Sequence, residues 1–127
     1  MSRDTLLSIG LLFLRVAAGG LMAYHGYQKV FGGFMAKMTE GVAALGFPLP
    51  VVFAWAAALS ELLGGVLVAV GLKTRFAAIF VFITMSVAAF MQHRADPLQA
   101  KELAIVFWAI FGAIALTGAG RYSLDRA

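Results

Sequence analysis

Four stretches of almost uninterrupted apolar residues alternate with short polar segments along the chain. They cover residues 6–27, 51–72, 76–92 and 103–116. A helix of about twenty residues crosses the hydrocarbon core of a bilayer, and the first two stretches reach that length. The last two reach it when their polar ends are included. The pattern therefore predicts four membrane-spanning helices, here called spans 1 to 4.

The segments between the spans predict how the helices are connected. The tight turn at residues 71–75 makes spans 2 and 3 an antiparallel hairpin. Residues 31–49 are glycine-rich and only partly apolar, and Phe34, Met38 and Leu45 fall on one helical face. This pattern favours a short amphipathic helix at the membrane interface, with an irregular loop as the alternative.

Composition supports a membrane protein. Hydrophobic residues make up 62% of the chain and charged residues 13%, whereas soluble domains carry about 25% charged residues. A soluble fold of this size could not bury so much apolar surface. We expect an all-α fold: one domain, residues 1–127, in which four transmembrane helices form a bundle with a short interfacial segment between spans 1 and 2.

The cations predict topology and exclude some functions. The net charge is +4, but no basic run is present, so nucleic-acid binding is not expected. Four spans place both termini on one side, with Arg3, Lys73, Arg75, Arg121 and Arg126, while the other side holds Lys29, Lys37, Arg94 and Lys101. The excess favours cytoplasmic termini. Because the chain has no cysteine, a redox role would need a bound cofactor or a partner.

Two opposite charges lie within the apolar spans. Arg15 is in span 1 and Glu61 in span 2, each near the middle of its span. A charge at the centre of a membrane helix costs about 2.5–3.5 kcal/mol, so two opposite charges at one depth should face each other. We therefore predict a buried Arg15–Glu61 pair. The alternative to a functional role is that the pair only locks the two helices together.

A second polar group is predicted at the end of the bundle opposite the termini. Three spans contribute to it, with His25 and Lys29, then His93 and Asp96, then Lys101 and Glu102. Lys29 continues the Arg15 face of span 1, and His25 is about 80° away from it. For Asp96 and Lys101, solvation at headgroup level is the simpler explanation, and Glu102 can cap the positive end of span 4.

The chain resembles the DoxX family of small bacterial membrane proteins. The matching stretches run through the whole chain in order: Leu14-Arg15-Val16 with Gly19, His25-Gly26 and Lys29, Gly46-Phe47-Pro48, residues 61–65, residues 71–75, His93 and Asp96, residues 101–103, and residues 118–125. The resemblance implies a four-span bundle in the bacterial cytoplasmic membrane. It also implies a link to quinone-coupled oxidoreductases and oxidative-stress systems.

Three functions follow from these observations. The first is a redox-associated subunit in which a quinone headgroup lies among His25, Lys29, His93 and Glu102. An alternative form of this hypothesis makes His25 and His93 the axial ligands of a haem. The second is a permease for a small molecule or ion, acting as an oligomer. The third is a scaffold for partner subunits. The pattern assigns no catalytic residue and predicts no metal site.

Overall fold

A computed structural model describes residues 1–92 and 95–125. Within these residues the chain forms five α-helices and one π-helical segment: α1 Arg3–Phe31, α2 Met35–Ala44, α3 Pro50–Val70, α4 Thr74–Val87, the π-helical segment Ala88–Gln92, and α5 Leu98–Thr117. The all-α prediction is confirmed for this part of the chain.

Three helical stretches are long and apolar enough to cross a membrane. They are Arg3–Phe31, Pro50–Val70 and Thr74–Met91, and they correspond to the predicted spans 1, 2 and 3. Their outward faces carry large apolar side chains, and Phe13 and Phe76 are among the most exposed. Apolar side chains facing outward in this number are expected where lipid is the solvent.

Local sequence signals fix the ends of the long helices. Ser2 caps α1, because its side chain accepts a hydrogen bond from the Thr5 amide. In the α3–α4 hairpin, α3 ends before Gly71, whose φ of 77° is a conformation that glycine adopts readily. There the Leu72 amide bonds to the Leu67 carbonyl, as in a Schellman motif. The predicted tight turn between spans 2 and 3 is confirmed.

The core lies where α1, α3, α4 and α5 meet. Met22, Val68, Val81, Phe111 and Ile114 are all buried there, and each comes from one of these four helices. These side chains fill the space between the helices, so that the four pack as one bundle.

The segment between α1 and α3 is a helix, as predicted. It covers Met35–Ala44, and Val42 is buried where α2 packs on α3. The alternative of an irregular loop is therefore wrong. Its location at a membrane interface stays a prediction.

The residues after α5 return to the beginning of the chain. The Arg121 amide donates to the Ser8 hydroxyl of α1 at 3.3 Å. Further on, the Asp125 amide donates to the Gly71 carbonyl at 2.7 Å. Both ends of the described chain therefore lie at the same end of the bundle, as the four helices α1, α3, α4 and α5 in antiparallel sequence require.

Candidate functional site

Arg15 is buried at the end of α3 rather than beside Glu61. Its guanidinium donates from Nε to the Val68 carbonyl at 3.0 Å, from Nη1 to the Ala119 carbonyl at 2.7 Å, and from Nη2 to the Ala69 carbonyl at 3.4 Å. Its side chain is 1% exposed. A cation here donates to carbonyls of the last turn of α3, of which Val68 also accepts from the Gly71 amide, and it lies at the negative end of the α3 dipole. The predicted Arg15–Glu61 pair is wrong.

Glu61 pairs instead with Lys29. The Lys29 ammonium donates to both carboxylate oxygens of Glu61, at 2.8 Å to Oε1 and 2.6 Å to Oε2. The Glu61 side chain is 2% exposed and the Lys29 side chain 32% exposed. A buried acid in the middle of α3 is therefore neutralised by a lysine that reaches in from the last turn of α1.

Close packing of glycines explains why the register differs from the prediction. A Cβ on Gly26 would lie 2.3 Å from the Leu62 nitrogen, and a Cβ on Gly65 would lie 2.4 Å from the Ala23 nitrogen. Only glycine allows the two backbones to approach this closely. These contacts place Gly26 opposite Glu61, about three helical turns from Arg15.

The Lys29–Glu61 pair lines a cavity between α2, α3 and α4, here called the α3–α4 cavity. Its volume is about 270 Å³. The wall is mostly apolar, and its lining includes Val42, Phe47, Phe53, Ala57, Phe80, Ile83, Met85 and Val87. Because Phe80 and Ile83 are also exposed on the outer face of α4, the cavity adjoins the surface that lipid would cover.

Two hydroxyls add polar groups to the same cavity. Ser60 and Thr84 lie 2.7 Å apart and form a hydrogen bond between α3 and α4. Ser60 also contacts the Ala57 carbonyl, and Thr84 contacts the Phe80 carbonyl. The two hydroxyl protons can fill only two of these three contacts at once, and the hydroxyl oxygens retain lone pairs that can accept from a ligand. The sequence showed Thr84 as a polar interruption of span 3 without indicating its partner.

The π-helical segment begins at this cavity. Ala88 both lines the α3–α4 cavity and opens the π-helical segment that ends at Gln92. π-Helical segments are rare in proteins, and those that occur are often found at functional sites.

A second cavity lies on the other side of Lys29, here called the α1–α2 cavity. Its volume is about 590 Å³, and its polar lining consists of His25, Gln28, Lys29 and Lys37. Lys29 also lines the α3–α4 cavity, as does Met38. Lys29 therefore stands between a cavity lined by polar α1 residues and one with mostly apolar walls.

Among the described residues, His25, Lys101 and Glu102 form no hydrogen bond with the Lys29–Glu61 pair. The His25 ring packs edge-on against Phe107 of α5, with 5.9 Å between ring centroids. Asp96 lies in the turn before α5, and Lys101 and Glu102 in its first turns, with Asp96 and Glu102 exposed. His93 lies outside the described residues, as does the proposed haem pairing with it.

Asp125 has a structural role and was not among the predicted site residues. Its carboxylate accepts hydrogen bonds from the Lys73 amide at 2.5 Å and the Thr74 amide at 3.0 Å, and so caps α4. Burial acts to raise the pKa of Asp125. The hydroxyl and amide of Thr74, the Lys73 amide and the charge of Arg15 act against burial, so the pKa lies below its usual value.

Within residues 1–92 and 95–125, no three His, Asp or Glu side chains converge as metal ligands would. The Lys29–Glu61 site offers instead one ion pair, two hydroxyl oxygens and an apolar wall. This set can bind a small neutral molecule that carries hydrogen-bonding groups on an apolar frame.

The fold and this site define a class: a helical protein with spans long enough for a membrane and an ion pair buried between two of them. The profile of the DoxX family matches residues 10–94, and the chain belongs to the DoxX family. An uncharacterized protein of Haemophilus influenzae is 34% identical over 123 residues, covering 91% of this chain and 88% of that protein. The inner membrane protein YphA of Escherichia coli is 32% identical over 125 residues, with the same coverage. No solved structure matches the chain.

Proposed function

We propose that this chain is a four-span protein of the bacterial cytoplasmic membrane that binds a quinone beside Lys29 and Glu61. In this role it is the quinone-binding subunit of a membrane oxidoreductase or oxidative-stress system. The observation that carries the proposal is the Lys29–Glu61 ion pair in the wall of the mostly apolar α3–α4 cavity.

The fourth span of the proposal is α5. It has 20 residues, enough to cross a hydrocarbon core, and it packs along α4 through the stacked rings of Phe82 and Trp108. Leu103 and Leu116 are exposed on it, as a lipid-facing helix requires. The inner membrane relative YphA supports the cytoplasmic membrane. The cation excess near the termini supports cytoplasmic ends.

The residues of the α3–α4 cavity fit a quinone headgroup. A lysine ammonium has three donors, and Lys29 uses two on Glu61, which leaves one for a ligand carbonyl. The Ser60 and Thr84 oxygens can accept from the hydroxyl form of the same ligand. Phe47, Phe53 and Phe80 supply aromatic walls, and the volume of about 270 Å³ is of the size of one substituted ring.

The location of the cavity fits a ligand that arrives from lipid. The exposed sides of Phe80 and Ile83 connect the cavity with the outer face of α4, where an isoprenoid tail would lie. A bound quinone would supply two-electron redox chemistry. Because the chain has no cysteine, a partner subunit would supply the electrons. Lys29 would orient the headgroup, and Glu61 would hold Lys29 in place through both carboxylate oxygens.

A permease is the second candidate, and one observation favours it. Lys29 and Met38 line both the α1–α2 cavity and the α3–α4 cavity, so the two spaces meet at these side chains. A small solute could pass between the cavities if Lys29 moved away from Glu61. Uptake into vesicles that contain the purified protein would support this function over quinone binding.

The test is the quinone content of the purified protein. Wild type and the double variant Lys29→Met/Glu61→Met are purified in mild detergent, and solvent extracts are analysed by mass spectrometry. We expect near-stoichiometric quinone in the wild type and about a tenfold loss in the variant, because its cavity has lost its charged donor. The double variant leaves no unpaired charge, so it should still fold.

Lys37→Met is the matched control. Lys37 lines the α1–α2 cavity but not the α3–α4 cavity, so quinone content should stay at the wild-type level. Wild-type extracts that contain only phospholipid would contradict quinone binding. A double variant with unchanged quinone content would contradict this site.

A further inference from the structure

A third cavity lies at the end of the bundle that holds both termini. This terminal cavity has a volume of about 530 Å³ and is bounded by the α3–α4 turn, the start of α4 and the residues that follow α5. Three cations line it: Lys73, Arg75 and Arg121. None of these three residues lines the α3–α4 cavity, so the terminal cavity is separate from the Lys29–Glu61 site.

The negative charge in the terminal cavity is already engaged. Asp125 lines it, but its two carboxylate oxygens accept from the amides of Lys73 and Thr74, and its charge faces Arg15. Three cations therefore share the cavity with one carboxylate whose oxygens already accept from backbone amides in the cavity wall. The excess of positive charge favours an anion.

The cations retain free hydrogen-bond donors. Among the described residues, the ammonium of Lys73 and the guanidinium of Arg75 make no hydrogen bond or ion pair, and Arg121 uses one donor on the Thr5 hydroxyl at 3.2 Å. A guanidinium carries five donors in a planar fork that matches the oxygens of a phosphate.

Backbone geometry positions one of these forks. The guanidinium of Arg75 lies against Gly118, where a Cβ would be 3.2 Å from Nε. Gly118 has a φ of 78°, a backbone conformation that residues other than glycine rarely adopt. The chain thus leaves room for Arg75 to lie along the wall of the cavity.

The surroundings favour a phospholipid over a free ion. Phe76 lines the terminal cavity and is exposed, and Leu72 and Leu116 are exposed beside residues of its wall. A cationic centre with an apolar edge matches a headgroup phosphate joined to acyl chains. We propose that the terminal cavity binds the phosphate of an anionic phospholipid. This rests on the membrane location proposed above and is independent of quinone binding.

The experiment compares lipid retention by native mass spectrometry. Wild type is placed in nanodiscs with equal amounts of phosphatidylglycerol and phosphatidylcholine, and the lipids that stay bound after release are identified. We expect selective retention of phosphatidylglycerol. Arg75→Gln/Arg121→Gln should lower that retention by about tenfold, since each basic residue contributes to anionic lipid binding.

The matched control is Lys37→Gln/Lys101→Gln, which removes the same charge at the opposite end and should retain phosphatidylglycerol like the wild type. Arg75→Lys/Arg121→Lys keeps the charge and should restore most of the retention, which separates binding from misfolding. Equal loss in the control would overturn the proposal, because it would indicate attraction by net charge alone. Displacement of the lipid by an equal concentration of inorganic phosphate would also overturn it, because it would indicate a free-anion site.

Discussion

Arg15 and the Lys29–Glu61 pair are two ways of burying charge in the same helix bundle. Arg15 meets only backbone: its donors end on the carbonyls of Val68, Ala69 and Ala119. Lys29 meets a side chain, keeps one donor free, and lines two cavities. The comparison teaches that depth in a span does not decide function. A buried charge that bonds only to backbone and lines none of the three cavities is structural, whereas one that lines a cavity with a free donor can bind a ligand.

Replacing Arg15 should have the largest effect. Arg15→Met would leave the Ala69 and Ala119 carbonyls without the donor that Arg15 supplies, and Asp125 would lose a nearby cation. We expect a loss of about 2–5 kcal/mol in the free energy of unfolding, because each buried acceptor left without a donor costs about 1–3 kcal/mol. Thermal unfolding in detergent measures it. Arg15→Lys is the comparison, and it should also destabilise, because one ammonium cannot span the sites of a guanidinium.

Gly26→Ala should cause the next largest loss of stability, because the added methyl group forces α1 and α3 apart at the level of Glu61. The added Cβ would lie 2.3 Å from the Leu62 nitrogen. We expect a loss of about 1–3 kcal/mol, together with reduced quinone content as Lys29 is displaced from Glu61. Gly20→Ala is the control, since a Cβ there meets nothing within 4 Å. Equal melting temperatures for the two variants would contradict the packing of α1 on α3.

Asp125→Asn should have a smaller and pH-dependent effect. The substitution weakens the cap on α4 and should cost about 1 kcal/mol near neutral pH. Because the folded protein lowers the pKa of Asp125, its contribution is present above the unfolded pKa and is lost as pH falls through the folded one.

Melting temperatures of wild type and Asp125→Asn should therefore converge on acidification below about pH 4, the usual carboxyl range. A difference between the two proteins that is constant across this range would show that the charge of Asp125 contributes nothing.

His25→Ala should have the smallest effect on stability, about 0.5 kcal/mol from the lost edge-on contact with Phe107, because His25 is only half-buried. His25 lines the α1–α2 cavity but not the α3–α4 cavity, so quinone content should be unchanged. Solvent extraction and mass spectrometry measure it. Loss of quinone from this variant would instead support the headgroup position predicted from the sequence, among His25, Lys29, His93 and Glu102.

Helical periodicity predicted which faces of the helices carry the buried groups. It placed Lys29 on the Arg15 face of span 1, and in α1 Arg15 is buried and Lys29 half-buried. The hairpin turn at Gly71 and the helix Met35–Ala44 were also predicted from local pattern. These features depend on residues that are close in sequence, so a pattern within one segment can indicate them.

The pairing of charges could not be predicted in the same way. It depends on how far α1 slides along α3, and the contacts of Gly26 and Gly65 with the opposite backbone determine that register. Arg15 bonds to backbone carbonyls, which no residue type reveals. The cap from Asp125 joins residues about fifty positions apart through the fold of the C-terminal segment. A family resemblance across residues 118–125 marked the segment without indicating its role.

The most direct test of the central claim is the thermal shift that a soluble short-chain quinone produces. Wild type should unfold at a higher temperature when the quinone is added, by an amount that grows with its concentration. Lys29→Met/Glu61→Met should unfold near the wild-type temperature without ligand and show no shift with it. An unchanged shift in this variant would contradict binding at the ion pair. A variant that unfolds far below wild type would show that the pair is structural, like Arg15.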